Sequence, residues 1–149
     1  MDVDTLFMES ALKEAKKSLK KGEVPVGAVI VYRNKIIAKG HNLREKKQNA
    51  LLHAEIVAIN KACKRLKSWR LVDCTLYVTL EPCPMCAGAI INSRISGVVF
   101  GTRDPKAGAS GSVIDLFSHP FNHKPSVASG VLENECSAIL TNFFKKLRT

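Results

Sequence analysis

The chain has 149 residues, with 23 Lys/Arg against 13 Asp/Glu, a formal charge of +10 and a pI near 9.6. That length builds one good core and hardly two, so residues 1–149 are expected to form a single domain. With 46% hydrophobic and 24% charged residues the composition is that of a globular protein, and no apolar run approaches the roughly 20 residues of a membrane span, so no membrane partner is expected.

In chain order, Met8, Ala11, Leu12, Ala15 and Leu19 recur at helical spacing and predict a first helix ending at Gly22. Val24 to Tyr32 and Lys35 to Lys39 read as two strands, joined by Arg33-Asn34 as a hairpin turn. A second helix begins after His53 and runs to about Leu66. Leu76 to Leu80 is a short buried strand that leads directly into a helical segment over Ala87 to Ile91, with Pro82 and Pro84 suited to its first turn. Val98 to Gly101 is a further strand and Ser126 to Val131 a weaker one. The last helix carries Leu132, Cys136, Ile139, Leu140, Phe143 and Leu147 on one stripe, which makes Phe143 a core residue. This order predicts an α/β fold of three layers, a mixed sheet of about five strands with helices on both faces. The helix around Ile90-Ile91 carries more apolar surface than a small sheet obviously buries, which points to self-association.

His53-Ala54-Glu55 and Pro82-Cys83-Pro84-Met85-Cys86 carry the chemistry. One imidazole and two thiolates supply three ligands for a tetrahedral Zn²⁺, leaving the fourth position for water, as catalytic and not structural zinc sites do. Each half of the motif sits at a helix start just past a strand end, the usual place for an α/β site. Thiolates there are favoured by unpaired N–H groups and the helix dipole. Glu55, two residues past the histidine, is a carboxylate placed to move protons. A closed structural site would need a fourth ligand. Cys63 lies ten residues along the helix from His53, roughly 15 Å away at 1.5 Å per residue. A strand separates Cys74 from Cys83, and Cys136 belongs to the last helix. Spacing alone leaves His41, His119 and His123 open. With two of its five cysteines given to metal, and an acidic Met1-Asp2-Val3-Asp4 start unlike a signal peptide, the chain suits a reducing, cytoplasmic compartment.

H-x-E followed by P-C-x-x-C is the known signature of zinc-dependent nucleobase deaminases. Beyond it, Pro25-Val26-Gly27-Ala28-Val29, the stretch Tyr77 to Ala89, Val99-Phe100-Gly101-Thr102-Arg103-Asp104-Pro105-Lys106, Gly108 to Ser112, Asn122-His123 and Phe143-Phe144 resemble bacterial tRNA-specific adenosine deaminases over about Phe7 to Arg148. The zinc motif marks the wider cytidine deaminase-like superfamily, while the Phe100-Gly101 segment and the aromatic, basic C-terminus select the tRNA branch. The resemblance implies a homodimer with one Zn²⁺ per chain, held by His53, Cys83 and Cys86. It implies conversion of the wobble adenosine to inosine in the anticodon stem-loop of an arginine tRNA with an A-C-G anticodon. Glu55 would be the catalytic proton carrier during attack of a zinc-activated water on adenine C6. Asn42 and the backbone N–H of Ala54 would hold the flipped base, and Asp104 would meet a ribose hydroxyl beside the target. Ala50-Leu51-Leu52 departs from the Pro-Thr-Ala-like stretch that many members carry before the zinc histidine.

Charge points the same way. Residues 1–74 hold 16 Lys/Arg against 8 Asp/Glu, whereas residues 75–149 hold 7 against 5. Lys61, Lys64, Arg65, Lys67 and Arg70 occur with no acid between them, and Lys145, Lys146 and Arg148 lie near the chain's end. Such a balance fits a polyanion better than a free nucleobase. Phe144, beside the basic tail, is the candidate for stacking on an RNA base. Two other readings stand beside this one. A free-base or nucleotide deaminase, for guanine or cytosine, would have less need of the basic surface. A non-catalytic zinc module that binds nucleic acid would close its zinc site.

Overall fold

One five-stranded sheet with the order β2–β1–β3–β4–β5 organises the computed structural model, which describes residues 2–148. Helix α1 (Val3–Lys20) is followed by β1 (Gly27–Tyr32) and β2 (Lys35–His41), then by the short α2 (Arg44–Lys47) and α3 (Ala54–Leu66). Strand β3 (Cys74–Leu80), α4 (Pro84–Asn92), β4 (Gly97–Thr102), a 3-10 turn at Leu116–Ser118, β5 (Ser126–Ser129) and α5 (Glu133–Leu147) complete it. Strand β1 runs antiparallel to both β2 and β3, while β3, β4 and β5 are parallel. The sheet is mixed, as expected. Arg33 and Asn34 both have positive φ, 51° and 63°, as a two-residue turn matched to strand twist requires.

Alternation along the strands sorts the core into two faces. Ala28, Ile30, Leu76, Val78, Val98 and Phe100 pack with Ala54, Ala58, Ala62, Ala87 and Ile90 of α3 and α4. Val29, Val31, Tyr77 and Val99 pack with Phe7, Met8 and Ala11 of α1 and Cys136 of α5. That is the three-layer arrangement.

Several details differ from expectation. Strand β1 starts at Gly27 and not at Val24, because Pro25 offers no N–H and the Val24 carbonyl accepts from Val26 N and from Asn42 Nδ2. Only Cys136 of α5 is buried; Phe143 is half-buried and Leu147 is 66% exposed. Leu140 still packs against the core and also lines a groove, whereas the end of the stripe at Leu147 is open to solvent. Ile90 and Ile91 are both buried, so the surplus apolar surface expected there does not exist. Exposed apolar side chains lie instead on α1 (Val3, Leu6, Leu19), near the end of α5 (Phe144, Leu147) and in loops, Leu51, Val113, Ile114 and Phe121 among them.

Helix α3 reaches the sheet through Gly40. A Cβ added there would lie 2.5 Å from Ala54 O and 2.7 Å from Ala58 N, so α3 would have to lift away from β2. Gly40→Ala is expected to cost about 1–3 kcal/mol, the usual penalty of overpacking, and to displace His53 at the helix start. Urea unfolding measures the first effect, and metal content of the purified variant measures the second.

Candidate active site

His53 and Cys83 occupy the N-cap positions of α3 and α4, both with extended backbone, at φ −70° and −77°. An N-cap side chain ordinarily accepts from the helix's first free N–H groups, a role that favours Ser, Thr, Asp or Asn. Neither residue does so. The two side chains turn toward each other, and Cys86 joins them from the first turn of α4. His53 Nδ1 lies 3.6 Å from Cys83 Sγ and 3.6 Å from Cys86 Sγ. All three ligand atoms fall within 4.8 Å of one another, and they form the group of this kind among the described residues.

The donor set fits zinc. Tetrahedral bonds of about 2.3 Å to sulfur and about 2.05 Å to nitrogen place N and S about 3.6 Å apart, which is the separation found. Among the described residues no fourth side-chain ligand joins the group. The histidines left open by spacing are used elsewhere: His41 lies against Glu14 and Lys21, His123 Nε2 meets the Ile95 carbonyl, and His119 contacts the Phe121 ring. A hydrogen bond from the Cys86 thiol, helped by His53 and opposed by burial, pulls Cys83 down to about 4. Cys86 is pushed far up, first by that same bond and then by burial. His53 is raised, mainly by its bond to Cys83. Left to themselves the three groups hold one thiolate, so a cation that takes both sulfurs must expel a proton.

Glu55 is buried one residue inside the start of α3, against Cys86. Burial lifts its carboxyl to about 7, against the opposing pull of its own backbone N–H and of His53. Asn42, at the end of β2, sends Oδ1 to the Ala54 N–H at 2.9 Å and gives Nδ2 to the Val24 carbonyl at 3.0 Å. It thereby supplies the cap that His53 does not. A substrate taking the Ala54 N–H must share it with Asn42.

Asp104 and Phe144 meet in a groove of about 530 Å³ whose walls include Val24, Leu80, Lys106 and Arg148. The groove's lining does not include His53, Cys83 or Cys86; Leu80, three residues before Cys83, and Val24, whose carbonyl accepts from Asn42, are part of its wall. Phe144 is 42% exposed and sits edge-on to Phe143, ring centroids 5.3 Å apart. Asp104 Oδ1 accepts from the N–H groups of Lys106 and Ala107, closing the turn that Asp104-Pro105 signals. Sequence reasoning missed Glu81. This buried carboxylate accepts from the N–H groups of Asp104, Ser110 and Ser112 and from the Ser112 hydroxyl. Burial alone would raise it, but those donors prevail and hold it below its ordinary value. The one signal for it was a Glu abutting Pro-Cys, opposite a run of small residues.

Residues 1–148 match the MafB19-like deaminase family. The chain is 56% identical to the tRNA-specific adenosine deaminase of Bacillus subtilis (strain 168), covering 99% of this chain and 92% of the relative. It is 47% identical to the chloroplastic tRNA(adenine(34)) deaminase of Arabidopsis thaliana, over 96% of this chain but 12% of that much longer protein. A solved structure from a study of A-to-I editing by tRNA:A34 deaminases at the wobble position superposes with a TM-score of 0.89 at 45% identity, covering 91% of this chain and 99% of the other. A guanine deaminase from Nitrosomonas europaea, TM-score 0.81 at 22% identity with 93% and 83% covered, shares the fold. With ligand spacing, sheet order and full-length identity in agreement, the chain belongs to the tRNA-specific adenosine deaminase family, within the MafB19-like deaminases.

Proposed function

We propose that this protein is a single-domain, zinc-dependent hydrolase that converts the wobble adenosine of a tRNA anticodon loop to inosine, with arginine tRNA bearing an A-C-G anticodon as its substrate. The observation that carries this reading is His53 Nδ1 standing 3.6 Å from both cysteine sulfurs beside a buried Glu55, in a chain of this family. His53, Cys83 and Cys86 hold one zinc per chain. A zinc ion there supplies Lewis-acid activation of the attacking water. Glu55 would take one proton from the attacking water and pass it to ring N1, then carry the second proton, from the hydroxyl added at C6, to the amine that leaves as ammonia. Asn42 and the Ala54 N–H orient the base. Asp104 receives a ribose hydroxyl in the adjoining groove, and Phe144 stacks on a neighbouring base while Lys106 and Arg148 face phosphate.

Glu55→Ala is expected to keep its fold and zinc and to lose roughly 10²–10⁴-fold in turnover, the usual contribution of proton transfer, since Glu55 is the carboxylate that acts on His53 and Cys86 among the described residues. Metal analysis and inosine formation measure the two halves. Zinc lost with Glu55, or activity retained without it, contradicts the assigned role.

Extruding a base costs least from an already unstacked loop, and the basic groove favours a polyanion. A stem-loop with a wobble adenosine is expected to be deaminated efficiently, the same loop with a displaced adenosine poorly, and free adenosine scarcely at all. Binding should also weaken steeply as salt rises, because counterion release is lost. Equal rates on all three, or faster turnover of free guanine or cytosine, favours the small-molecule deaminase instead.

The protein acts as a C₂ homodimer in the cytoplasm. Dimerisation is supported by the resemblance to this family and by the exposed Leu51, Val113, Ile114 and Phe121 on loops. Among the described residues no helix is long and apolar enough to cross a membrane. Light scattering at micromolar concentration is expected to give twice 16.3 kDa; a fully active monomer contradicts it.

A further inference from the structure

The segment from Arg103 to Leu116 carries Asp104 and passes between β4 and the 3-10 turn through Gly108-Ala109-Ser110-Gly111-Ser112. Small residues give it little to bury, and its ladder pairing is one isolated bridge, Ser110 with Asp115. Its backbone donors converge instead on one side chain. One Glu81 oxygen accepts the Asp104 N–H at 2.9 Å together with the Ser112 hydroxyl. The other accepts the N–H groups of Ser110 at 2.9 Å and Ser112 at 3.1 Å. Four donors match the roughly four lone-pair directions of a carboxylate. Gly108 packs so closely on the carboxylate that any Cβ there would overlap it.

The main chain on either side is tied as well. Glu81 N donates to Thr102 O at 2.9 Å, and Ala109 N donates to Pro82 O at 2.8 Å. Cys83 follows immediately. Glu81 thus joins the turn that presents a metal ligand to the loop that presents Asp104. A buried carboxylate is costly to desolvate, and every hydrogen-bond donor its oxygens engage lies in this loop. Asp104 has spent one oxygen on its own turn. Its other oxygen makes no hydrogen bond among the described residues, and Asp104 lines the groove.

We infer that Glu81 is a positioning residue for the deamination: its carboxylate sets the place of Asp104 relative to the His53–Cys83–Cys86 cluster, and with it the register in which the substrate ribose delivers its base to Glu55. The inference rests on the tRNA deaminase reading for its effect on the reaction. Glutamine would put an NH₂ donor against backbone N–H donors and release part of the loop. Removing a negative charge beside the groove would by itself tighten RNA binding, whereas loss of position weakens it, so the two effects have opposite signs.

The test compares Glu81→Gln, Asp104→Asn and the double variant in the zinc-loaded full-length protein acting on the wobble-adenosine stem-loop. Each single change is expected to lower kcat/KM about tenfold or more, mainly through a higher KM, with zinc content unchanged; one lost hydrogen bond to a buried charge is of that order. The double variant should be no worse than the weaker single, because both act through one contact. Ser112→Ala, which removes one donor, should raise KM in the same direction by less. Independent, multiplying losses, or a KM for Glu81→Gln equal to or below that of the wild type, overturn the inference. Hydrogen exchange needs no substrate: residues 104–112 should exchange faster in Glu81→Gln while β3 and α3 keep their protection, and unchanged exchange there overturns the loop-holding role. If the wild-type protein ignores the stem-loop, the substrate reading falls while exchange still decides what Glu81 holds.

Discussion

Two helix N-termini have to end on the same point, and most of the molecule serves that requirement. His53 and Cys83 sit where capping residues belong and do not cap, so the fold forgoes the stabilisation of about 1 kcal/mol that a good N-cap brings to a helix. Compensation comes from outside each helix. Asn42 reaches across from β2 to accept the first N–H of α3, and Pro84, at the start of α4, has no N–H to satisfy. The distance between the helices is set by their contact with the sheet. Ala54, Ala58 and Ala62 present a flat face to it, and Gly40 leaves no side chain in the way. The parallel pair β3 and β4, linked through α4, fixes the other ligand turn directly beyond Leu80.

The loops that flank this point are held by a common device. Glu23, buried before β1, accepts the N–H groups of Glu45 at 3.1 Å and Lys46 at 2.7 Å. It anchors the start of the stretch that ends at His53. Glu81 does the same for the loop after β4. Backbone N–H groups leaving a sheet must find acceptors, and in both loops a buried carboxylate supplies two or more. Acidic residues are the minority in this chain, 13 against 23 basic. Two of them are used as internal acceptors, which leaves the groove side to cations such as Lys106 and Arg148.

Local features were legible where one residue type has one use. The Arg33-Asn34 turn, the helix starts at His53 and Cys83, and the alternation of Ala28, Ile30, Leu76 and Val78 against Val29, Val31 and Tyr77 all follow from short-range rules. The meeting of His53, Cys83 and Cys86 was legible because their spacing is restrictive. What stayed hidden depends on long-range placement. Nothing around Glu81 in the sequence reveals that Ser110 and Ser112, 29 and 31 residues away, turn their N–H groups onto it. The apolar residues of α5 were read as a core stripe because periodicity reports which face is apolar and not what covers it; beyond Cys136 that face borders a groove. Ile90-Ile91 failed in the opposite direction, since both join the core with Val98, Phe100 and Phe117 of the 3-10 turn.

A His-Cys-Cys cluster by itself does not choose a substrate. A guanine deaminase at 22% identity shares the fold, so specificity has to lie in what is added around it. Here the loop carrying Asp104 and Lys106 and the far end of α5 carrying Phe144 and Arg148 line one groove. Their chemistry is uneven in a useful way. One carboxylate oxygen without a hydrogen bond suits a hydroxyl donor, an exposed ring suits a base face, and the cations suit phosphate. A free base offers only the second of these, whereas a nucleotide within an RNA loop offers all three at once. Binding energy gathered along the groove can then meet the cost of drawing one base toward Glu55, and that coupling requires the groove and the metal site to be one rigid piece.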